Sequence, residues 1–279
     1  MTGDERIKVV VAAGGLGTRV CSWARYLPKE FWPVDGRPGI VHILEEIAQL
    51  GPAHVVIVHH PYYQAFADWA RQALSPHGRA RYLRAAARPL TGHDPAGDLT
   101  VDFVAQHGPY ADLTSILNAA DHFAAAPAMG PDQMYVAFSD NLYPGSSPLL
   151  ALRASPAAPA VLARPYQAEL AGRRGVIVTT APDNRMLDLV EKPDPITARN
   201  LERHHGTDNL MLLEGRARLT REFIAFARTH TAPAGSEPKL ALAIGAYSRT
   251  RQVLVIPADS EVIDLGSPPA TSDTRRRTA

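Results

Sequence analysis

The 279-residue chain has a single cysteine, Cys21, so an intramolecular disulfide is excluded, which fits a reducing compartment. It contains no run of eighteen apolar residues, so we expect no membrane span. The stretch Met1–Gly15 lacks the form of a signal peptide, because its apolar run is very short. The formal net charge of +1 gives no overall preference for nucleic acid or for a membrane surface. Together these features predict a cytoplasmic globular protein without nucleic-acid or membrane partners. They do not decide whether the protein forms a homo-oligomer.

Apolar strands and amphipathic helices alternate through the first half of the chain. Hydrophobic residues make up 46% of the sequence, which is enough for a sizeable core. We predict strands at Ile7–Ala13, His54–His60, Leu99–Gln106 and Met134–Asp140, and helices at Pro38–Leu50, Pro61–Leu74 and Asp112–Phe123. This alternation predicts an α/β fold, with a parallel sheet that carries helices on both faces.

The second half of the chain is less regular. We predict strands at Ala160–Arg164, Gly175–Thr180, Met186–Val190, Val253–Ile256 and Glu261–Leu265, of which the last two would close the sheet. Thr220 is expected to cap a helix that runs to about His230. The polar stretch Thr197–Thr207 reads as a loop, and residues 269–279, with three consecutive arginines, as a disordered tail. No long linker interrupts the chain, so residues 1–268 are predicted to form one domain.

A glycine cluster follows the first strand. Glycines after a buried strand let backbone N–H groups come close to phosphates. Arg19 could donate two hydrogen bonds to a triphosphate, and Lys29 offers a compact charge for an α-phosphate. The order of the glycines matches neither the dinucleotide-binding fingerprint nor a Walker A loop, and alone it would fit a tight βα turn equally well. The candidate phosphate-binding residues of this loop are Ala13, Gly14, Gly15, Gly17 and Thr18.

Two aspartates lie at the ends of predicted strands. Asp140 ends the strand Met134–Asp140, and Asp264 lies near the end of the strand Glu261–Leu265. Ligands of α/β sheets bind beyond the carboxyl ends of parallel strands. Two carboxylates delivered there could hold Mg²⁺, which takes oxygen ligands and keeps phosphates and waters in its shell. The simpler interpretation is that each aspartate caps a turn.

The segment Val9–Pro33, VVVAAGGLGTRVCSWARYLPKEFWP, resembles the signature of the sugar-1-phosphate nucleotidyltransferases. That signature reads A-G-G-x-G-T-R, with a lysine ten residues after the arginine. The tripeptide Pro28-Lys29-Glu30 is similar to the bacterial UTP–glucose-1-phosphate uridylyltransferase branch in particular. Ser22 and Trp32 depart from the family, which usually has proline and leucine there. The resemblance implies a Rossmann-like mixed sheet, with the nucleotide held by residues 1–145 and the sugar phosphate by a subdomain in residues 146–268.

The resemblance also implies roles for individual residues. Arg19, Lys29, Asp140 and Lys192 would be catalytic, and Asp140 and Asp264 would hold Mg²⁺. Gln106 and Ala111 would face the nucleobase, although the family usually has glycine in place of Ala111, so the base is left open. The sugar phosphate would be held by Gly175, Glu191, Lys192 and Asn209, with Asn200 as an alternative to Asn209.

The activity implied is transfer of a nucleoside monophosphate from an NTP to a sugar 1-phosphate, with release of pyrophosphate. One alternative is the glucose-1-phosphate uridylyltransferase of primary metabolism. Another is an enzyme that acts on a modified sugar or cyclitol phosphate with a different NTP. A third, of another class, is a regulatory protein that binds nucleotide and sugar phosphate without catalysis.

Overall fold

The computed structural model describes residues 6–18, 22–85, 98–124, 133–180, 183–230, 237–258 and 260–266. Its helices are α1 Gly39–Ala48, α2 Gln64–Leu74, α3 Pro76–Ala85, α4 Asp112–Ala124, α5 Pro148–Ala154, α6 Pro195–His205, α7 Arg221–Thr229 and α8 Leu240–Ser248. Its strands are β1 Ile7–Ala13, β2 Pro33–Val34, β3 Arg37–Pro38, β4 Ala53–His59, β5 Leu99–Ala105, β6 Gln133–Phe138, β7 Asn141–Leu142, β8 Ala160–Pro165, β9 Gly175–Thr180, β10 Arg185–Glu191, β11 Leu210–Thr220, β12 Leu254–Pro257 and β13 Ile263–Asp264.

Nine of these strands form one mixed sheet, in the order β5-β4-β1-β6-β11-β8-β12-β10-β9. The four strands of the first half pair in parallel, whereas β11 pairs antiparallel with both of its neighbours. The predicted class, an α/β fold with a mixed sheet flanked by helices, is confirmed. The parallel half brings the carboxyl ends of β1, β5 and β6 to one edge, where ligands of such sheets bind.

Strand β1 lies in the middle of the parallel half and is buried on both faces. Val9 and Val11 pack toward α1, whereas Val10 packs toward α4, and all three side chains are inaccessible to solvent. Because side chains alternate along a strand, one β-branched run supplies two apolar cores at once. The predicted bounds of this strand, Ile7–Ala13, are confirmed.

The prediction of a loop at the polar stretch Thr197–Thr207 is wrong, because most of this stretch lies in α6. Asp194 caps this helix, with its side chain accepting hydrogen bonds from two backbone N–H groups of the first turn, and Pro195 occupies the first position. Both features are strong helix-start signals. The helix buries only Ala198, so its apolar stripe is too narrow to show as periodicity.

The prediction that Glu261–Leu265 closes the main sheet is also wrong. Only Ile263–Asp264 is extended, and it pairs antiparallel with Asn141–Leu142 in a separate two-stranded ribbon. The neighbouring prediction is close to the structure, since Leu254–Pro257 pairs in parallel with β8 inside the main sheet. Thr220 caps α7 as expected, accepting a hydrogen bond from the backbone of Phe223.

In the described part of the chain, no helix combines the length and the apolar character needed to cross a bilayer. Cys21, the predicted tail at 269–279 and Arg19 fall outside the described residues. The single domain over residues 1–268 stays a prediction.

Candidate active site

The glycine loop after β1 is held in place by two tyrosines. The Tyr110 hydroxyl donates to the Gly14 carbonyl at 2.9 Å, and the Tyr63 hydroxyl lies 3.4 Å from the Leu16 carbonyl. Burial raises the pKa of Tyr63 to about 12, so its hydroxyl stays a donor at neutral pH. Gly17 has φ of +62°, which favours glycine. These hydrogen bonds anchor the part of the loop that the structure describes.

Lys29 lies over this loop in a short 3₁₀ turn, with its side chain only 7% exposed. Its Nζ is 3.2 Å from Asp140 Oδ2 and 3.8 Å from Glu30 Oε1. A Cβ on Gly15 would lie 3.4 Å from Lys29 Cε, so glycine leaves the space that the lysine uses. A compact cation is thus placed between the glycine loop and a strand-end carboxylate.

Glu30 is a buried carboxyl beneath this cation. Its side chain is 1% exposed, and Oε1 accepts a hydrogen bond from Ser139 Oγ at 2.8 Å. Within the described residues Oε2 has no hydrogen-bond partner. Burial raises the pKa of this carboxyl, although the charge of Lys29 opposes the shift. Glu30 therefore couples the Lys29 turn to the residue before Asp140.

Asp140 and Asp264 are brought together by the ribbon of β7 and β13. The backbone N–H of Leu265 donates to the carbonyl of Asp140 at 2.7 Å. A Cβ placed on Gly266 would lie 3.0 Å from Asp264 Oδ1 and 3.1 Å from Asp140 Oδ2. Two carboxylate oxygens thus flank one small space that only a glycine leaves empty. We call Asp140, Asp264 and Gly266 the carboxylate cradle; its all-oxygen donor set suits Mg²⁺.

A buried ion pair supports the cradle from below. Arg216 is 0% and Glu46 4% exposed, and the guanidinium donates Nη2 to Oε2 at 2.7 Å. The same guanidinium donates to the carbonyls of Phe138 at 3.2 Å and Asn141 at 2.9 Å. These two carbonyls lie on either side of Asp140 in the chain. Arg216 therefore fixes the backbone that presents the first carboxylate.

Gln106 and Ala111 form a second wall of the site. The Gln106 amide donates to the Ala111 carbonyl at 3.0 Å and to the Pro109 carbonyl at 3.3 Å, and its oxygen accepts from Ser115 at 3.0 Å. A Cβ on Gly14 would lie 2.5 Å from that oxygen, so a side chain at this position would force the Gln106 amide to move. Gln106 thus fastens the end of β5 to the start of α4, close beside the glycine loop.

The cleft is also lined by Glu191, Lys192 and Lys239. The Glu191 carboxylate lies 3.8 Å from Lys192 Nζ and 3.5 Å from Lys239 Nζ. Lys192 has φ of +46°, a left-handed conformation that costs a non-glycine residue about 1–3 kcal/mol. A Cβ on Gly175 would lie 3.3 Å from Glu191 Oε2, so this glycine leaves room for the carboxylate. Two cations and one carboxylate therefore face the cleft together.

The structure brings eight of the predicted site residues into one cleft. They are Gly14, Gly15, Lys29, Gln106, Ala111, Asp140, Glu191 and Lys192. Ala13, Gly17 and Thr18 belong to the same loop but are not among the residues that line the cleft. Asn209 donates to the carbonyl of His205 at 2.8 Å, and neither it nor Asn200 is among the lining residues. The roles assigned to all of these residues stay predictions.

Sequence reasoning missed Tyr110, Lys239 and Arg216. Lys239 faces the cleft because a distant segment folds against it, whereas Tyr110 lies between the predicted residues Gln106 and Ala111 but has no pattern of its own that singles it out. Arg216 carried a usable signal, since a charged residue inside the largely apolar strand β11 needs a buried partner. The chain has only four lysines, and Lys29, Lys192 and Lys239 all line the cleft. The sequence alone shows that lysines are few, but not that three of them meet in one cleft.

Comparison with known proteins gives a consistent set of relatives. No family model matches the chain. The UTP–glucose-1-phosphate uridylyltransferase of Staphylococcus epidermidis is 24% identical over 272 residues, which cover 93% of this chain and 87% of that protein. A UDP-glucose pyrophosphorylase complexed with UDP-glucose superposes with a TM-score of 0.72 at 18% identity and 94% coverage of both chains. UDP-glucose pyrophosphorylase from Acinetobacter baumanii gives a TM-score of 0.68 at 22% identity, covering 94% of this chain and 89% of that one. The solved structures share the fold of this chain.

Proposed function

We propose that this chain is a sugar-1-phosphate nucleotidyltransferase, and that its cleft transfers a nucleoside monophosphate from an NTP to a sugar 1-phosphate and releases pyrophosphate. The family supplies the reaction class, and the names of the relatives favour UTP and glucose 1-phosphate as the first pair to test. Other bases and other sugar or cyclitol phosphates remain candidates, because Ala111 stands where the family usually has glycine.

One observation supports this proposal above the others. A buried lysine, a glycine loop and a strand-end carboxylate lie together in the cleft, and a second carboxylate paired with two further lysines lines the same cleft. Two phosphorylated substrates that react with each other need two separate cationic regions. A binding module for a single nucleotide would need only one of them.

The proposed chemistry is an in-line displacement at the α-phosphorus. An oxygen of the sugar phosphate forms the new P–O bond, the bond to the β-phosphate breaks, and pyrophosphate leaves with the electron pair. The attacking phosphate is already ionised, so no side chain has to act as nucleophile or base. Catalysis then consists of positioning and charge stabilisation.

Each residue of the cleft has a place in that scheme. The glycine loop would bind the triphosphate through backbone N–H groups, joined by Arg19. Lys29 would stabilise the charge that develops on the α-phosphate. Lys192 would hold the sugar phosphate, while Glu191 would accept hydrogen bonds from sugar hydroxyls and orient Lys192.

The carboxylate cradle would hold Mg²⁺, because its donors are two carboxylate oxygens beside a space free of side-chain atoms. When bound, Mg²⁺ neutralises phosphate charge. Asp140 also contacts Lys29, so the same carboxylate orients the catalytic cation.

Gly266→Ala is expected to raise the Mg²⁺ concentration needed for half-maximal activity by about tenfold or more, by analogy with other changes beside a metal site. The new methyl group would occupy the cradle, 3.0 and 3.1 Å from the two oxygens. The measurement is pyrophosphate release against Mg²⁺ concentration. Gly172→Ala is the matched control, because its Cβ would meet only one atom, at an ordinary 3.7 Å. An unchanged Mg²⁺ dependence in Gly266→Ala would argue against the cradle.

The experiment that tests the function crosses the four common NTPs with a panel of sugar and cyclitol 1-phosphates in the presence of Mg²⁺, and measures pyrophosphate release. We expect turnover in one pairing, with UTP and glucose 1-phosphate as the first candidates. Isolation of the NDP-sugar and reversal with added pyrophosphate would establish the reaction. Binding of an NTP with no turnover for any acceptor would instead favour the regulatory alternative.

We include a cytoplasmic location in this proposal, because NTPs and sugar phosphates are found in the cytoplasm. The single cysteine cannot form an intramolecular disulfide, so the protein does not need an oxidising compartment. A homo-oligomer and the absence of nucleic-acid partners stay predictions.

A further inference from the structure

A cluster of two histidines and one aspartate lies far from the cleft. His54 comes from β4, Asp102 from β5 and His122 from the last turns of α4. The Nε2 atoms of His54 and His122 lie 2.8 and 2.9 Å from the same oxygen, Asp102 Oδ2. One nitrogen or oxygen atom from each side chain lies within 4.8 Å of the other two. No part of the proposed reaction uses these residues.

The sheet and the helix explain why the three side chains meet. In the parallel register His54 is opposite Thr100, so Asp102, two residues further along β5, points to the same face. That face is covered by α4, whose His122 reaches down to the edge strand. The ring of His54 stands edge-on to Phe123, with ring centroids 5.2 Å apart, which limits its rotation. The cluster is therefore built on two strands and a packed helix.

We infer that His54, Asp102 and His122 bind a divalent transition-metal ion, with Zn²⁺ as the best fit. Two imidazole nitrogens and one carboxylate oxygen form a donor set typical of Zn²⁺ sites that keep an open position for water. Bonds of about 2.0–2.2 Å in a tetrahedral site place ligand atoms roughly 3.3 Å apart. Each imidazole nitrogen would need to move away from the carboxylate oxygen by only a few tenths of an ångström to admit the ion, and the two nitrogens lie within 4.8 Å of each other.

Charge and access agree with this inference. Asp102 supplies the one carboxylate of the cluster, and its Oδ2 lies between the two imidazole nitrogens. The side chains of His54, Asp102 and His122 are 22%, 38% and 36% exposed, which gives an ion a route from solvent.

The site differs in chemistry from the carboxylate cradle. The cradle offers only oxygen, which suits Mg²⁺, whereas imidazole nitrogen favours Zn²⁺ or Co²⁺. The two regions lie near opposite ends of α4, since Asp112 lines the cleft and His122 is ten residues further along, about 15 Å at the helical rise. An ion at the cluster would tie the last turns of the helix to the edge of the sheet.

The test uses the full chain without a histidine tag, after removal of bound metal. Equilibrium dialysis against Zn²⁺ should give one ion per chain that excess Mg²⁺ does not displace. Titration with Co²⁺ should produce the visible absorption of a four-coordinate ion with nitrogen ligands. Zn²⁺ should also raise the thermal unfolding temperature.

Two single variants and a control make the assignment specific. His122→Ala should weaken Zn²⁺ binding at least tenfold and abolish the rise in unfolding temperature, while keeping the helix, because alanine is a good helix former. Asp102→Asn should act in the same direction. The control removes the exposed pair on α6, His204→Ala with His205→Ala, and should bind Zn²⁺ like the parent. Failure to bind stoichiometric Zn²⁺, or equal binding by the parent and His122→Ala, would overturn the inference and leave only a hydrogen-bonded triad.

Discussion

Lys29→Ala is expected to lower kcat for pyrophosphate release by about 10²–10³-fold, the range seen when one preorganised donor of a developing charge is removed. The side chain is 7% exposed and its Nζ lies 3.2 Å from Asp140, so solvent cations cannot easily replace it. Of the two partners it leaves behind, Asp140 is 38% exposed and can be solvated, whereas Glu30 is 1% exposed but has a pKa raised by burial, so it can take up a proton; we therefore expect only a small loss of stability. Steady-state kinetics and thermal unfolding of the same sample measure both effects.

Lys8→Met is the matched control for this experiment. Lys8 lies on β1, the strand that leads into the glycine loop, but its Nζ is over the ring of Phe123, 5.3 Å from the centroid, and Lys8 is not among the residues that line the cleft. Loss of turnover in Lys29→Ala with a normal unfolding temperature, beside an active Lys8→Met, would assign a catalytic role to Lys29. Equal activity of Lys29→Ala and the parent would remove Lys29 from the mechanism, even if the substrate panel had succeeded.

Arg216→Met is expected to reduce the free energy of unfolding by about 3–5 kcal/mol, because it leaves a buried carboxylate without its cation. Glu46 is only 4% exposed, and the carbonyls of Phe138 and Asn141 would lose their donor as well. Since those carbonyls flank Asp140, the fraction that still folds should need more Mg²⁺. Urea unfolding gives the stability, and the Mg²⁺ titration gives the effect on the cradle.

Arg251→Met provides the comparison. Arg251 and Glu222 form an exposed ion pair, with side chains 49% and 65% exposed, and such pairs contribute about 0–1 kcal/mol. The double variant Arg216→Met with Glu46→Leu should recover part of the stability, because it leaves no unpaired charge. If Arg216→Met were as mild as Arg251→Met, the buried pair would not be supporting the cradle.

The sequence predicted the fold best where one physical signal dominates. Strand β1 is a run of buried β-branched residues, and its bounds were predicted without error. Helix α6 was missed because its stability comes from the Asp194 cap and one buried alanine, while its composition reads as polar. Strand β13 was predicted in the main sheet because an extended sequence does not show which strand it will pair with. Its pairing with β7 depends on tertiary contacts.

The site could be anticipated only in part, for a related reason. Lys29, Asp140 and Lys192 each lie in a short motif that can be recognised in the sequence, and the motifs keep the order found in the resembling family. In the structure the three residues line one cleft. Lys239 is 47 residues beyond Lys192, and its approach to Glu191 depends on how α8 packs against β10. Arg216 acts through the backbone of another strand, which no local pattern reveals.

Three of the four lysines of this chain line one cleft, whereas its other cationic side chains are twenty-five arginines. An arginine keeps its proton and reacts poorly with acylating reagents, but a lysine amine can lose its proton and become a nucleophile. On most proteins, reagents that modify lysine amines react over the whole surface. In this chain most of the lysines that they could modify lie in the cleft. Coupling through amines would tend to obstruct the cleft, and the same selectivity would carry an amine-reactive label to it.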